Sequence, residues 1–447
     1  MAHEFVTILH TNDIHSHVEH WPRIANWIKT RRAILQAAGH FVLTFDIGDF
    51  IDRYDANTQA TWGKANTQLL NDCGYDGVTI GNNEGLGLPH DRMEDIYSQR
   101  HFAVLLANIF ENDHQLPKWA EEFRIFVTPK GTRISAFGLT AAYESTYPLA
   151  DWLPVQSLPT LAKLSDRVVA QSDVRILLSH LGLPTDQALA KQFKKISVIL
   201  GAHTHHLLPH GQQVEQTLLA AAGKYGENVG EVTLEINENH EIVSTKAKTT
   251  PFDDLLPVKS ASAFLENWRE SGRTILANQI VANLPVSRSP LEQVDDCADA
   301  LMTNFHTKIA MISTGMFLDD LPVGELNNFQ LLTDLPHTIN PMKIDITGSD
   351  LLKLLAEIHL QHDHLLNLHI NGSGFRGDKF GEMKFFGLEN SSIDPDEHYE
   401  IASLDHYYFL PWFHSLQAAE VSFDFKGILR ELMARYYHVK YRREVLD

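Results

Sequence analysis

The chain has 447 residues and a formal net charge of −20, from 57 acidic against 37 basic side chains. That balance excludes a surface built to neutralise a nucleic-acid backbone, which needs clustered Lys and Arg. A hydrophobic content of 44% excludes a disordered chain and predicts a soluble globular one. The length predicts two or three domains. No apolar run reaches the ~18 residues of a membrane helix. The N-terminus, Met1-Ala2-His3-Glu4-Phe5, enters the first strand without a basic or apolar leader, so the expected location is cytoplasmic. Cys73 and Cys297 fall in different predicted domains, which predicts packing roles and no disulfide.

In chain order, the apolar, β-branched run 6–9 predicts a buried strand. Helical spacing over 21–38 places Ile24, Ile28 and Leu35 on one face, with Gly39 as the stop. A strand is expected at 41–46, a helix at 58–73 ending at Gly74, and strands at 78–81, 102–107 and 133–138. A helix over 159–172, a strand at 175–178, a helix over 186–195 and a strand at 196–200 follow. Alternation over 231–236 and 242–249 predicts antiparallel strands. Residues 250–262 read as a linker rich in Pro, Asp and Ser, and 261–277 as a helix joining two domains. The second domain is expected to start near 280. There are no internal repeats and no low-complexity segments.

Five of these strands end in chemistry-bearing residues. The first leads into Asp13-Ile14-His15. The next leads into Gly48-Asp49-Phe50-Ile51-Asp52, and a third into Gly81-Asn82-Asn83-Glu84. The last two deliver Ser179-His180 and Gly201-Ala202-His203-Thr204-His205. Ligands of open α/β sheets bind beyond the carboxyl ends of strands. An Asp and a His two apart can converge there on one divalent ion, the carboxylate giving oxygen and the imidazole nitrogen. Two such ions bring four positive charges against two negative ones from Asp13 and Asp49, which suits a phosphate substrate in an acidic protein. With 25 histidines, some His-x-His spacing arises by chance. His3, His40, His101, His114, His362 and His364 read as surface or packing residues. His362-Asp363-His364 has neither ligand partners nor a strand end.

The order Asp-x-His, Gly-Asp-x-x-Asp, Gly-Asn-x-Glu, His, Gly-x-His-x-His resembles the calcineurin-like metallophosphoesterases. The rest of the chain resembles the two-domain 5′-nucleotidase group, which includes UDP-sugar hydrolases and 2′,3′-cyclic phosphodiesterases. The string Ala222-Gly223-Lys224-Tyr225-Gly226 resembles that family's turn into its second sheet. Asn327 to Thr347, followed by Gly348-Ser349-Asp350-Leu351-Leu352, is the best match in the second domain. The resemblance implies an α/β fold: a four-layer α/β/β/α sandwich over 1–255, a linker and connecting helix over 256–280, and a C-terminal α/β nucleotidase-like domain over 281–447. It implies a site at the domain interface, with the linker permitting one domain to swing against the other.

By the same resemblance, Asp13, His15 and His205 are ligands of one metal. Asn82, His180 and His203 are ligands of a second, and Asp49 bridges them. The cofactors implied are two divalent ions (Mn, Zn, Fe or Co) held ~3.5–4 Å apart, with a bridging hydroxide as nucleophile. The implied activity is hydrolysis of small phosphorylated metabolites, nucleotides first, in nucleotide catabolism. A nucleotide pyrophosphatase or cyclic phosphodiesterase is the alternative within the class. The expected partner is a small-molecule phosphoester, with no nucleic-acid polymer and no membrane.

The chain departs from the family in two places. Asn83 stands where Gly-Asn-His-Glu has its histidine, as in a bacterial cytoplasmic subgroup with Gly-Asn-Asn-Glu. An amide donates a hydrogen bond but cannot give up a proton, and a lost general acid costs ~10²–10⁴-fold. Three readings follow. Substrates with good leaving groups are favoured; or His17, with His206 next, substitutes as the acid; or turnover is lost and the protein is a nucleotide-binding sensor. In the second domain the family's Gly-Gly-Gly-Ile-Arg appears as Ser313-Thr314-Gly315-Met316-Phe317, without its arginine. Arg376, in the glycine-rich stretch 371–377, is the candidate replacement. Phe375, Tyr407 and Tyr408 are the candidates for stacking on a base, within a cluster running from His406 to Phe413.

Overall fold

The strand Glu4–Thr11 is buried along almost its whole length, as expected where both faces of a sheet are covered. In the computed structural model, which describes residues 3–369, 374–388 and 393–441, it lies inside a six-stranded sheet. Phe41–Asp46 pairs with it in parallel, and Gly77–Val78 and Ala103–Val104 extend the parallel run. On its other side the long antiparallel strands Asn228–Ile236 and Ile242–Pro251 complete the sheet. A second six-stranded sheet has Arg133–Thr140, Val174–His180 and Val198–Gly201 parallel at its centre. Apolar residues of both sheets, among them Val6, Ile8, Leu43, Phe45, Ile176, Leu178, Val198 and Leu200, form one core cluster between them.

The outer faces are covered by helices. Trp21–Ala37, Lys64–Cys73 and His90–Tyr97 supply Trp21, Ile24, Ile28, Leu70, Met93 and Ile96 to the cluster outside the first sheet. Ser157–Gln171 and Leu183–Gln192 supply Leu161, Leu164, Val168 and Leu189 outside the second. The result is the expected α/β/β/α sandwich. One helix differs from expectation. The stretch 58–73 is two helices, Ala56–Thr61 and Lys64–Cys73. The break falls at Trp62 and Gly63, both left-handed (φ 54° and 85°). A Cβ at Gly63 would lie 2.6 Å from Ile51 Cδ1, so packing against the Asp49 loop overrides helix continuity.

Two compact units divide the chain, Met1–Glu270 and Ser271–Asp447. The boundary falls inside the helix Ala261–Ala277. The second unit is built on a five-stranded mixed sheet, Met383–Phe386, Ile309–Ser313, His398–Leu404, Pro341–Thr347 and Glu420–Phe423 in spatial order. Helices Pro290–Phe305, Gly348–Leu360 and Leu429–Lys440 contribute Val294, Leu301, Leu351, Leu354, Leu432 and Met433 to its own core. Ser289 starts the first of these with a reciprocal capping pair to Glu292. Cys73 and Cys297 are buried free thiols. No helix among the described residues is long and apolar enough to cross a membrane.

Candidate metal centre

Parallel strands place five motif loops at the carboxyl edges of the two sheets. Thr11 pairs in register with Asp46, Thr140 with His180, and Ser179 with Gly201. The Asp49 and Asn82 loops touch through glycines. A Cβ at Gly81 would sit 2.0 Å from Asp49 Oδ1, and one at Gly48, whose φ is +87°, 2.4 Å from Gly81 N. Glu84 ties the same loops together. Its carboxylate accepts from Gly81 N at 2.8 Å, Asp49 N at 3.0 Å and Ile51 N at 2.9 Å. Burial, aided by Asp49, pushes the Glu84 carboxyl up to about 7.

These loops are strained where the predicted ligands sit. Asp13, His15, Asp49, His203 and His205 all have left-handed backbone, with φ between 48° and 73°. They are five of thirteen such non-glycine residues among those described. The conformation is uncommon outside glycine and costs on the order of 1 kcal/mol or more each. Strain concentrated on one cluster is characteristic of a functional site.

The side chains converge in two groups. Asp13, His15 and His205 form one; Asp13, Asp49 and His180 form the other. His15 Nε2 lies 3.3 Å from His205 Nε2, 3.9 Å from Asp13 Oδ1 and 3.7 Å from Asp49 Oδ2. His205 Nε2 is 3.6 Å from Asp13 Oδ1, and His180 Nε2 is 3.4 Å from Asp49 Oδ2. Asp49 therefore faces a histidine of each group. The His203 ring stands 5.1 Å from that of His180, and its backbone N–H donates to Asp13 at 3.2 Å.

The chemistry of this donor set fits divalent cations. His180 Nδ1–H donates to the Ile47 carbonyl at 2.7 Å, which leaves the Nε2 lone pair directed at Asp49. That Nε2 and the Asn82 Oδ1 are buried without a hydrogen-bond partner. A lone pair facing a carboxylate requires a proton or a cation between them. Burial opposes charge on His180, but Asp49 and Asp13 outweigh it and raise its pKa to about 10. Burial likewise works to raise Asp49, yet His180 and His15 hold its carboxyl well below the ordinary range. His203 and His205 are lowered to about 4, chiefly by burial, and are neutral donors at pH 7.

Asn83 is at this centre, but its carboxamide is occupied. Nδ2 lies 3.0 Å from His15 Nδ1 and donates to the Ile51 carbonyl at 3.2 Å. Its Oδ1 accepts from Asn82 Nδ2 at 3.2 Å, and its backbone N–H donates to Asp49 Oδ1 at 2.8 Å. His17 is one ring further out. It bonds to Glu19 at 2.7 Å and packs its ring, tilted by 33°, against Tyr225 at 4.1 Å. Two neighbours were absent from the expected set. Tyr143 Oη is 2.9 Å from His203 Nε2, and no local motif marks it. Tyr225 lies 5.6 Å from His15 and 6.1 Å from His205. The Ala-Gly-x-Tyr-Gly string did contain Tyr225, but as a fold signal only.

The aromatic candidates of the second unit need correction. Phe375 and Tyr407 have no exposed surface. Phe375 lies stacked between His337 at 4.5 Å and His406 at 5.2 Å. The Tyr407 hydroxyl accepts from Ser313 N at 2.8 Å and donates to Ser313 Oγ. Both rings are consumed by the unit's own core and present no face to a base. Tyr408 is half-buried against Phe409 and Phe423. Arg376 donates its N–H to His337 Nδ1 at 2.9 Å and its guanidinium to the Phe375 carbonyl at 3.0 Å. Residues 371–373 of its loop lie outside the described set. His362 and His364 belong to neither candidate metal group among the described residues.

A sandwich whose strand ends gather carboxylates, imidazoles and a carboxamide has the layout of a metal-dependent hydrolase. Comparison with known proteins makes the assignment specific. Residues 6–207 match the calcineurin-like phosphoesterase model, and 294–408 the 5′-nucleotidase C-terminal domain. The chain is 33% identical to the uncharacterized metallophosphoesterase YunD of Bacillus subtilis, over 96% of this chain and 98% of that one. Among solved structures, a putative 5′-nucleotidase from Staphylococcus aureus in complex with alpha-ketoglutarate is similar in fold. Its TM-score is 0.67 at 15% identity, covering 99% of this chain and 98% of that one. The Haemophilus influenzae NAD nucleotidase gives 0.65 at 14% identity, covering 99% and 97%. The chain belongs to the calcineurin-like metallophosphoesterases, in the two-domain 5′-nucleotidase group, and is a phosphoric ester hydrolase.

Proposed function

We propose that this chain hydrolyses small phosphorylated metabolites, nucleotides foremost, at a two-metal centre. Asp13, His15 and His205 would hold one ion, Asn82, His180 and His203 the other, and Asp49 would serve both. The reading rests on one observation above all: the buried His180 Nε2, its ring fixed by the Ile47 carbonyl, faces Asp49 Oδ2 at 3.4 Å in one group with Asp13, and Asn82 Oδ1 is buried without a hydrogen-bond partner. Bound there, two divalent ions (Mn, Zn, Fe or Co) supply Lewis acidity and lower the pKa of water.

The protein's own residues organise the rest. The Ile47 carbonyl fixes the His180 tautomer, and Asn83 fixes the Asn82 carboxamide. Glu84 pins the Asp49 loop by two backbone bonds and the Asn82 loop by a third, from Gly81 N. Asn83 offers no proton, and His17, whose Nδ1 is bonded to Glu19, stands one ring further out behind Tyr225. Departing groups that need no protonation are therefore favoured, which supports the second reading, a nucleotide pyrophosphatase or cyclic phosphodiesterase. The nucleotide preference is supported by the relatives, among them an NAD nucleotidase. In the second unit, Phe409 is 56% exposed beside a parallel Phe423 and is the ring of its cluster open to a base.

The test is hydrolysis by metal-stripped protein reloaded with Mn, Zn or Co. Nucleoside monophosphates, nucleotide sugars, a 2′,3′-cyclic nucleotide and bis-p-nitrophenyl phosphate are compared side by side. Metal-dependent turnover ranked by leaving group supports the proposal. Nucleotide binding without turnover of any substrate refutes it in favour of a sensor.

A further inference from the structure

Lys224 is the cation that the centre's acidic surroundings leave unexplained. It is half-buried. Its Nζ lies over the Tyr225 ring, 4.6 Å from the centroid. That ring borders His15, His17 and His205. No carboxylate pairs with Lys224 among the described residues, although the chain carries 57 Asp and Glu. Arg53, a second cation near the motif loops, is spent on structure. It is buried, bonds Gln59 and the Gly87 carbonyl, and lies over Trp62.

The loop that carries Lys224 is clamped to the first motif. Asn12 Oδ1 accepts from Ala222 N at 3.0 Å, and Asn12 Nδ2 donates to the Gly223 carbonyl at 2.7 Å. Tyr225 N donates to the Asp13 carbonyl at 2.7 Å. Tyr225 itself is left-handed, with φ 59°, so the turn is held against its own preference. The ammonium is thus delivered beside the centre by the same backbone that positions Asp13.

We propose that Lys224 binds an anionic group of the substrate next to the phosphoryl group under attack, a second phosphate of a phosphoric anhydride. The proposal rests on the two-metal phosphoesterase reading above. Lys224 lies over the Tyr225 ring, which itself borders His15 and His205, so its charge flanks the centre without being one of its ligands. A lysine ammonium also suits this task as a compact point charge for phosphate. It also suits a centre whose Asn83 provides no acid.

The experiment uses the full, metal-loaded chain as wild type, Lys224→Gln and Lys224→Arg. Inorganic pyrophosphate and inorganic phosphate are titrated by calorimetry, and kcat/KM is measured on adenosine mono- and diphosphate. Metal content is checked by elemental analysis. Lys224→Gln should weaken pyrophosphate at least tenfold more than phosphate and lower the diphosphate-to-monophosphate ratio of kcat/KM by a similar factor. Lys224→Arg should restore most of both. Equal loss on both ligands, no loss, or failure of the wild type to bind pyrophosphate overturns the proposal. Absence of turnover on every phosphoester would defeat the parent reading alone, because the pyrophosphate titration still decides Lys224.

Discussion

Truncating Asn83 to Ala removes a carboxamide that holds two candidate ligands. Its Oδ1 accepts from Asn82 Nδ2 at 3.2 Å, and that bond decides which way round the Asn82 carboxamide sits. With it, Asn82 Oδ1 faces the buried position where it has no protein partner. Without it, a half-turn would present the amide NH₂, which carries no lone pair for a cation. Asn83 Nδ2 also lies 3.0 Å from His15 Nδ1 and 3.2 Å from the Ile51 carbonyl. Hydrogen bonds of this kind are worth ~1 kcal/mol each, so the fold should lose ~1–3 kcal/mol and survive. Outer partners of metal ligands are worth ~10–100-fold in metal affinity, or ~1.4–2.7 kcal/mol. The assay is titration of the stripped variant with Mn, by calorimetry or against a chromophoric chelator. Affinity within twofold of wild type in a folded Asn83→Ala protein would refute the positioning role.

Other outcomes follow from the same geometry. Tyr143→Phe removes the hydroxyl 2.9 Å from His203 Nε2. It should weaken metal binding about tenfold in the same titration, and unaltered binding would show the contact to be incidental. Asn83→His restores a titratable ring where the family has one. It should raise turnover of a nucleoside monophosphate relative to bis-p-nitrophenyl phosphate, and an unchanged or lower ratio would mean that no acid is missing. In the second unit, burial lowers His337 from 6.5 to about 3. The unfolded chain therefore binds a proton that the folded one refuses, and stability falls as pH drops from 6.5 towards 3, by ~1.4 kcal/mol per unit. Denaturant melts should show this slope flattened in His337→Gln; a slope equal to wild type would assign it to other groups.

The sandwich was legible because its strands are near-continuous apolar runs closed by polar turns, and because buried parallel strands have that signature. The motif loops were legible for the same reason: Asp13, Asp49, Asn82, His180 and the His203–His205 pair each follow a strand end. Their strain was not, since a left-handed Asp13 or His205 reflects contacts made by distant loops. The break at Trp62 and Gly63 was hidden because Ile51, which fills the space a Cβ at Gly63 would need, comes from another segment. Tyr143 reaches His203 across 60 residues, beyond any local pattern. The aromatics of the second unit were the least legible. Phe375, Tyr407 and Phe409 look alike in sequence, and only packing separates two core rings from an exposed one.

The most direct test is Asp49→Asn, because Asp49 lies against both His15 and His180. Wild type and variant are stripped, reloaded with Mn and assayed on bis-p-nitrophenyl phosphate and a nucleotide, with bound metal counted. The account predicts two ions per wild-type chain and metal-dependent hydrolysis, with at most one ion and at least ~10²-fold slower turnover in the variant. Full metal content and full turnover in Asp49→Asn would contradict a shared carboxylate and, with it, the two-metal centre.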